Sequence, residues 1–175
     1  IDAPAPTVTS ADGIEVKRGM PNNAQLIADF ITKLSDKEVS RMDVMMSFGQ
    51  KSYLLAQRDK ESIAGLMGWT VENLVTRMDE FYIEPSAPVT ATIQMVIQAI
   101  EDASKELQSE VAFVFLAGST PDAQVKAFQG GGYEPTILRE IKIPAWREAV
   151  DETVAGRDMV VLWKQLRKDR VLQPI

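Results

Sequence analysis

The sequence contains no cysteine and no histidine, and these two absences close off much of catalytic chemistry. Without cysteine there is no disulfide framework and no thiolate nucleophile. Without histidine there is no Ser-His-Asp relay and no imidazole metal site, so no metal is expected. Acid–base work is left to carboxylates, tyrosine, lysine or water. Long apolar runs are missing too: none approaches the ~20 residues a bilayer span needs, and no membrane span is expected. Basic residues are outnumbered, 19 Lys+Arg against 25 Asp+Glu, and the net charge of -6 argues against a nucleic-acid or anionic-membrane partner. The lack of cysteine fits a reducing compartment, and a cytoplasmic location is expected.

What is present is ordinary for a globular chain. The 175 residues are 45% hydrophobic and 25% charged, enough for one domain with a full-sized core. Ile1–Gly13 is rich in Pro, Ala, Thr and Ser without periodicity and reads as a tail. A single domain is expected over 14–166, followed by a second tail, Arg167–Ile175.

Within the domain, Ile14–Met20 alternates as a short strand. Asn22 or Asn23 can cap a helix whose stripe is Leu26, Ile27, Phe30, Ile31 and Leu34. Ser35 and Glu38 have capping-box spacing for a second helix ending near Gly49. Met42, Met45 and Met46 lie on that helix, either as core packing or as an adaptable binding wall. Ser52–Arg58, Ser62–Val71 and Leu74–Ile83 read as an antiparallel meander with turns at Asp59-Lys60 and Glu72-Asn73. Gly65 and Gly68 in the middle strand suggest a bulge or a close approach to its backbone.

The chain pivots at Pro85 and Pro88, which cannot donate to a strand ladder. From Val89 the apolar period changes to that of a helix: Val89, Ile93, Val96, Ile97, Ile100 and Leu107. A helix start carries unpaired N–H groups and partial positive charge, so a strand–loop–helix of this kind can hold an anion. An ordinary strand-to-helix connection has the same pattern. Val111–Leu116 is a continuous apolar run, expected to be buried on both faces and parallel to Leu74–Ile83 through a right-handed crossover. Thr120-Pro121 starts a short helix through Phe128, which Gly130-Gly131-Gly132 ends. Tyr133–Ile143 reads as a strand, Pro144–Val154 as a small helix and Met159–Leu166 as the last strand. The fold class is α+β: a mixed, mostly antiparallel sheet flanked by helices, with one central parallel pair.

This order resembles the GNAT acetyltransferase superfamily. Ile83-Glu84-Pro85 looks like the strand ending that precedes the family's cofactor loop, and Gly132-Tyr133 like the aromatic after its later short helix. The helix Pro144–Val154 would be an insertion. The resemblance implies acetyl-CoA as co-substrate and a small-molecule or peptide amine as acceptor. It further implies cofactor contacts from the backbone of Phe81 and Ile83 and from the N–H groups of Val89, Thr90, Ala91 and Thr92. The places of the family's phosphate-loop residues hold Pro88, Ala91 and Ile93, and Phe128 stands where many members have a tyrosine acid. For the base, Glu80 or Asp79 is the best-placed carboxylate, the two pointing to opposite faces of a regular strand. For the acid, Tyr133 and Tyr82 are the nearby phenols. A GNAT fold without turnover, serving as a binding or regulatory module or as a subunit of a larger complex, is the alternative; a protein partner or a homodimer is the matching partner expectation. An unrelated α+β domain is a third.

Overall fold

The computed structural model describes residues 8–9, 13–59 and 62–168. In chain order the elements are β1 (Val8–Thr9), β2 (Glu15–Arg18), a 3-10 turn at Pro21–Asn23, α1 (Ala24–Leu34) and α2 (Arg41–Ser47). Then come β3 (Ser52–Asp59), β4 (Ser62–Glu72), β5 (Val75–Ile83), α3 (Val89–Glu106), β6 (Val111–Ala117) and α4 (Asp122–Gly130). The chain continues with β7 (Glu134–Thr136), a 3-10 turn at Leu138–Glu140, α5 (Pro144–Val154) and β8 (Met159–Gln165). The strands form one eight-stranded sheet in the order β1-β2-β3-β4-β5-β6-β8-β7. All pairings are antiparallel except β5 with β6.

Helices cover both faces, and strand alternation decides which residues meet them. Leu54, Ala56, Met67 and Met78 pack under α3 and α4. Tyr53, Leu55, Ile63 and Leu66 pack under α1 and α2. Strand β6 is buried on both sides, as its unbroken apolar run requires: Ala112, Val114 and Leu116 face α3 and α4. Val111, Phe113 and Phe115 face α5 through Trp146, Ala149 and Val150. The helix after β7 therefore roofs half of one face, and α1 with α2 roofs the other half.

Several boundaries differ from those read in the sequence. β1 falls inside the stretch read as the first tail and pairs with β2, Val8 opposite Val16. Asn22 and Asn23 do not cap α1 with their side chains; the Asn23 carboxamide accepts from the Met20 N–H at 2.9 Å instead. The capping box of α2 is Ser40/Asp43, not Ser35/Glu38. The Asp43 N–H donates to the Ser40 hydroxyl at 3.1 Å, and the Ser40 N–H donates to the Asp43 carboxylate at 2.9 Å. Ser35 is engaged in a local turn, accepting from the Lys37 N–H. Pro121, not Thr120, occupies the cap position of α4. The expected strand Tyr133–Ile143 shrinks to Glu134–Thr136 at the sheet edge, where Pro135 costs no ladder bond. Of the second tail, Arg167 donates to Gln108 at 2.9 Å; residues 169–175 lie outside those described.

Candidate functional site

β5 and β6 run side by side only from Val75 opposite Val111 to Met78 opposite Val114. Beyond that point β5 continues to Ile83 against β4, and β6 continues to Ala117 against β8, with no pairing between them. The parting starts at a bulge. Gly68 faces Glu80 and Trp69 faces Met78, so Asp79 is an extra residue in β5. A bulge bends and twists its strand, and here it turns the end of β5 away from β6. The Glu84 N–H donates to the Ala64 carbonyl at 2.8 Å. Strand alternation then aims the N–H and C=O of Tyr82 and Glu80 at β4, and those of Phe81 and Ile83 into the gap. On the α3/α4 side the gap is floored by Phe81, edge-on to Phe128 with ring centroids 5.3 Å apart.

α3 starts at the far end of this gap. Pro88 sits at its cap position without a side-chain cap, and the Thr92 N–H donates to the Pro88 carbonyl at 3.0 Å. That leaves the N–H groups of Val89, Thr90 and Ala91 as the unpaired donors of the first turn. Thr92 is thus a correction: its N–H is used within the helix. Its side chain is fully buried with an unpartnered hydroxyl. A Cβ at Gly65 would meet its methyl at 2.9 Å, so glycine there lets α3 press onto β4. Arg58 supplies a cation that was not singled out in the sequence. From the end of β3 its guanidinium donates to the Ser86 carbonyl in the loop before α3. It takes both antiparallel pairings, β3 with β4 and β4 with β5, to bring the end of β3 beside the loop after β5, so the sequence carried no local signal for it.

On the opposite face of the sheet, three side chains converge on Glu80. The Tyr53 hydroxyl donates to its Oε1 at 2.9 Å and the Tyr82 hydroxyl to its Oε2 at 3.2 Å. Lys51 Nζ lies 3.3 Å from Glu80 Oε1 and 3.1 Å from Asp79 Oδ1. Regular alternation would send Asp79 and Glu80 to opposite faces; the bulge puts both carboxylates on one ammonium. Burial, then the Glu80 charge, pushes the phenols of Tyr53 and Tyr82 well up, so both stay protonated and donate. Burial works against the Lys51 ammonium, but Asp79 and Glu80 outweigh it and raise its pKa. A Cβ at Gly68 would come within 3.1 Å of Glu80 Cβ, Glu80 Oε1 and Lys51 Cδ. Glycine leaves the cluster its room.

Tyr133 is not brought to Glu80. It is 1% exposed, and its hydroxyl donates to Glu101 Oε2 at 3.0 Å. Glu101, 3% exposed, accepts from Lys164 Nζ at 2.9 Å. Lys164 also donates to the Gly131 carbonyl at 3.0 Å. Burial and Glu101 push the Tyr133 phenol far up, so it holds its proton inside a latch joining α3, the turn after α4, and β8. Gly132 makes that turn with φ 98°. A cavity of about 480 Å³ lies elsewhere again, between Phe113, Trp146 and Trp163, toward the start of β6 rather than its parted end.

No family model matches the sequence, and no curated protein matches it. Solved structures do. A GNAT superfamily phosphinothricin acetyltransferase from Sinorhizobium meliloti, in complex with acetyl-CoA, aligns over 93% of this chain and 94% of its own at 11% identity, TM-score 0.67. An acetyltransferase of the GNAT family from Staphylococcus aureus aligns over 88% and 99% at 12% identity, TM-score 0.61. A Bacillus subtilis acetyltransferase in complex with CoA aligns over 88% and 99% at 17% identity, TM-score 0.59. The chain has the GNAT fold. No helix among the described residues is long and apolar enough to cross a membrane.

Proposed function

We propose that this protein is an acetyltransferase that moves an acetyl group from acetyl-CoA to an amine. The observation that carries this reading is the parting of β5 from β6, which leaves the backbone of Phe81 and Ile83 facing a gap. An extended thioester arm has amides and a carbonyl that such an edge can hydrogen-bond as a further strand would. Beyond the gap, the N–H groups of Val89, Thr90 and Ala91, with Arg58 beside their loop, suit a phosphate group. Acetyl-CoA supplies the activated acyl carbon. An N–H of the β5 edge polarises the carbonyl. Glu80, held by Tyr53, Tyr82 and Lys51, takes the proton from the incoming ammonium, and the neutral nitrogen forms the amide bond as the C–S bond breaks. Phe128 offers no hydroxyl, so the second proton, shed by the nitrogen as the amide forms, reaches the leaving sulfur through water rather than through a phenol. Tyr133 serves the frame.

The proline at 88 and the phenylalanine at 128 favour a second reading, a GNAT fold that binds acetyl-CoA without turning it over. Binding and turnover separate these. Acetyl-CoA at a hundred times its Kd should stabilise the protein by about 2.7 kcal/mol in thermal melts. Free thiol should then appear when an accepted amine is added. Arg58→Ala should raise the acetyl-CoA Kd about ten-fold, as loss of one charge-assisted contact does. An absence of stabilisation would exclude both readings. Stabilisation with no thiol release from any amine would leave only the second.

A further inference from the structure

The cavity of about 480 Å³ between Phe113, Trp146 and Trp163 takes no part in the chemistry above. Three neighbouring strands build its floor. Phe113 of β6 stands opposite Trp163 of β8, and Trp163 stands opposite Glu134 of β7. Residues directly opposite in antiparallel pairs share a face, so a phenyl ring, an indole and a carboxylate lie in one row across the sheet. α5 covers this row. The Trp146 ring centroid is 6.2 Å from that of Trp163, tilted by 48°, and 6.4 Å from that of Phe113, at 76°. The turn at Leu138–Glu140 makes the other lip. Ile141 packs into the same core cluster, and the Arg147 guanidinium donates to the Ile141 carbonyl at 3.3 Å, which ties that turn to α5. Glu140 and Lys142 flank Ile141 and line the cavity with Glu134. All three are exposed, and none makes an ion pair among the described residues.

The geometry points to a second binding site here, for a small quaternary ammonium ion. Two carboxylates against one ammonium leave a negative charge at the mouth, which disfavours anions and draws cations. Behind it stand two indoles and a phenyl ring, and cations are attracted to aromatic faces, to tryptophan's most of all. These rings offer no hydrogen-bond acceptor: indole is a donor only, and phenylalanine has neither donor nor acceptor. A primary ammonium would give up water there without new partners for its N–H groups. A quaternary one carries no N–H to strand. The volume falls within the range of roughly 300–1,000 Å³ usual for small-molecule sites. The cavity shares no residue with the parted edge of β5 or with the start of α3, so this site stands apart from the acetyltransferase reading.

Choline and its neutral carbon analogue, 3,3-dimethylbutan-1-ol, test this on the full ¹⁵N-labelled chain. The sequence has three tryptophans, and Trp69 packs in a different cluster, so its indole signal is an internal control. Choline should shift the Trp146 and Trp163 indole signals saturably and leave that of Trp69 in place. The neutral analogue should bind about ten-fold more weakly. Glu134→Gln combined with Glu140→Gln, both at exposed positions, should raise the choline Kd about ten-fold at an unchanged Tm. Saturating CoA should not displace choline. No saturable shift, a shift shared equally by Trp69, or equal affinity for the two probes would overturn the proposal. So would an unaltered Kd in the double variant. Displacement by CoA would overturn it too, since choline would then lie at the β5 edge.

Discussion

Glu80→Gln should lower kcat for acetyl transfer at neutral pH by roughly two to four orders of magnitude, the range that a positioned general base supplies. The substitution is close to isosteric. The amide oxygen can still accept from Tyr53 or Tyr82, which hold Glu80 at 2.9 Å and 3.2 Å, and Asp79 still pairs with Lys51. What glutamine cannot do is take a proton from the acceptor. Affinity for acetyl-CoA should therefore stay as it is, because the proposed cofactor contacts come from the other edge of β5 and from α3. The measurement is initial rate of thiol release beside equilibrium binding of acetyl-CoA. A loss of less than about ten-fold in kcat would remove Glu80 from the chemistry.

Lys164→Met should cost about 3 kcal/mol of stability, the low end for stranding one charge of a buried pair, since Lys164 is itself one-third exposed. The Glu101 side chain is 4% exposed, and among the described residues its partners are the Tyr133 hydroxyl and Lys164. Without the ammonium its carboxylate faces a core with no countercharge. At this chain length that corresponds to a fall in Tm of roughly 6–12 °C. Adding Glu101→Gln to Lys164→Met removes the stranded charge and keeps an acceptor for Tyr133, so the double variant should recover more than half of the loss. A double variant as unstable as the single one would show that the cost lies in packing of the lysine stem rather than in the charge.

The pivot of the fold was legible because it rests on local chemistry. Two prolines close a strand, the apolar period changes at Val89, and six consecutive apolar residues from Val111 to Leu116 can only be a strand covered on both faces. Those signals gave the parallel pair β5–β6. The bulge at Asp79 had no such signal, because two residues opposing one is a property of a strand pair. Missing it misplaced Asp79 relative to Glu80. The two serine capping boxes show the same limit. Ser35/Glu38 and Ser40/Asp43 have identical spacing, and the choice fell to the turn that Ser35 makes with Lys37. Tyr133 was read beside the site on its place after Gly132. Burial against Glu101 and Lys164, which come from α3 and β8, decided otherwise.

The central claim is that the parted edge of β5 receives acetyl-CoA, and residue-resolved amide hydrogen exchange tests it most directly. On saturation with acetyl-CoA, exchange at the Phe81 and Ile83 amides should slow, together with that at Val89, Thr90 and Ala91. The amides of Glu80 and Tyr82, which already point at β4, should change little. Unchanged exchange at Phe81 and Ile83 in the presence of bound acetyl-CoA would contradict the account.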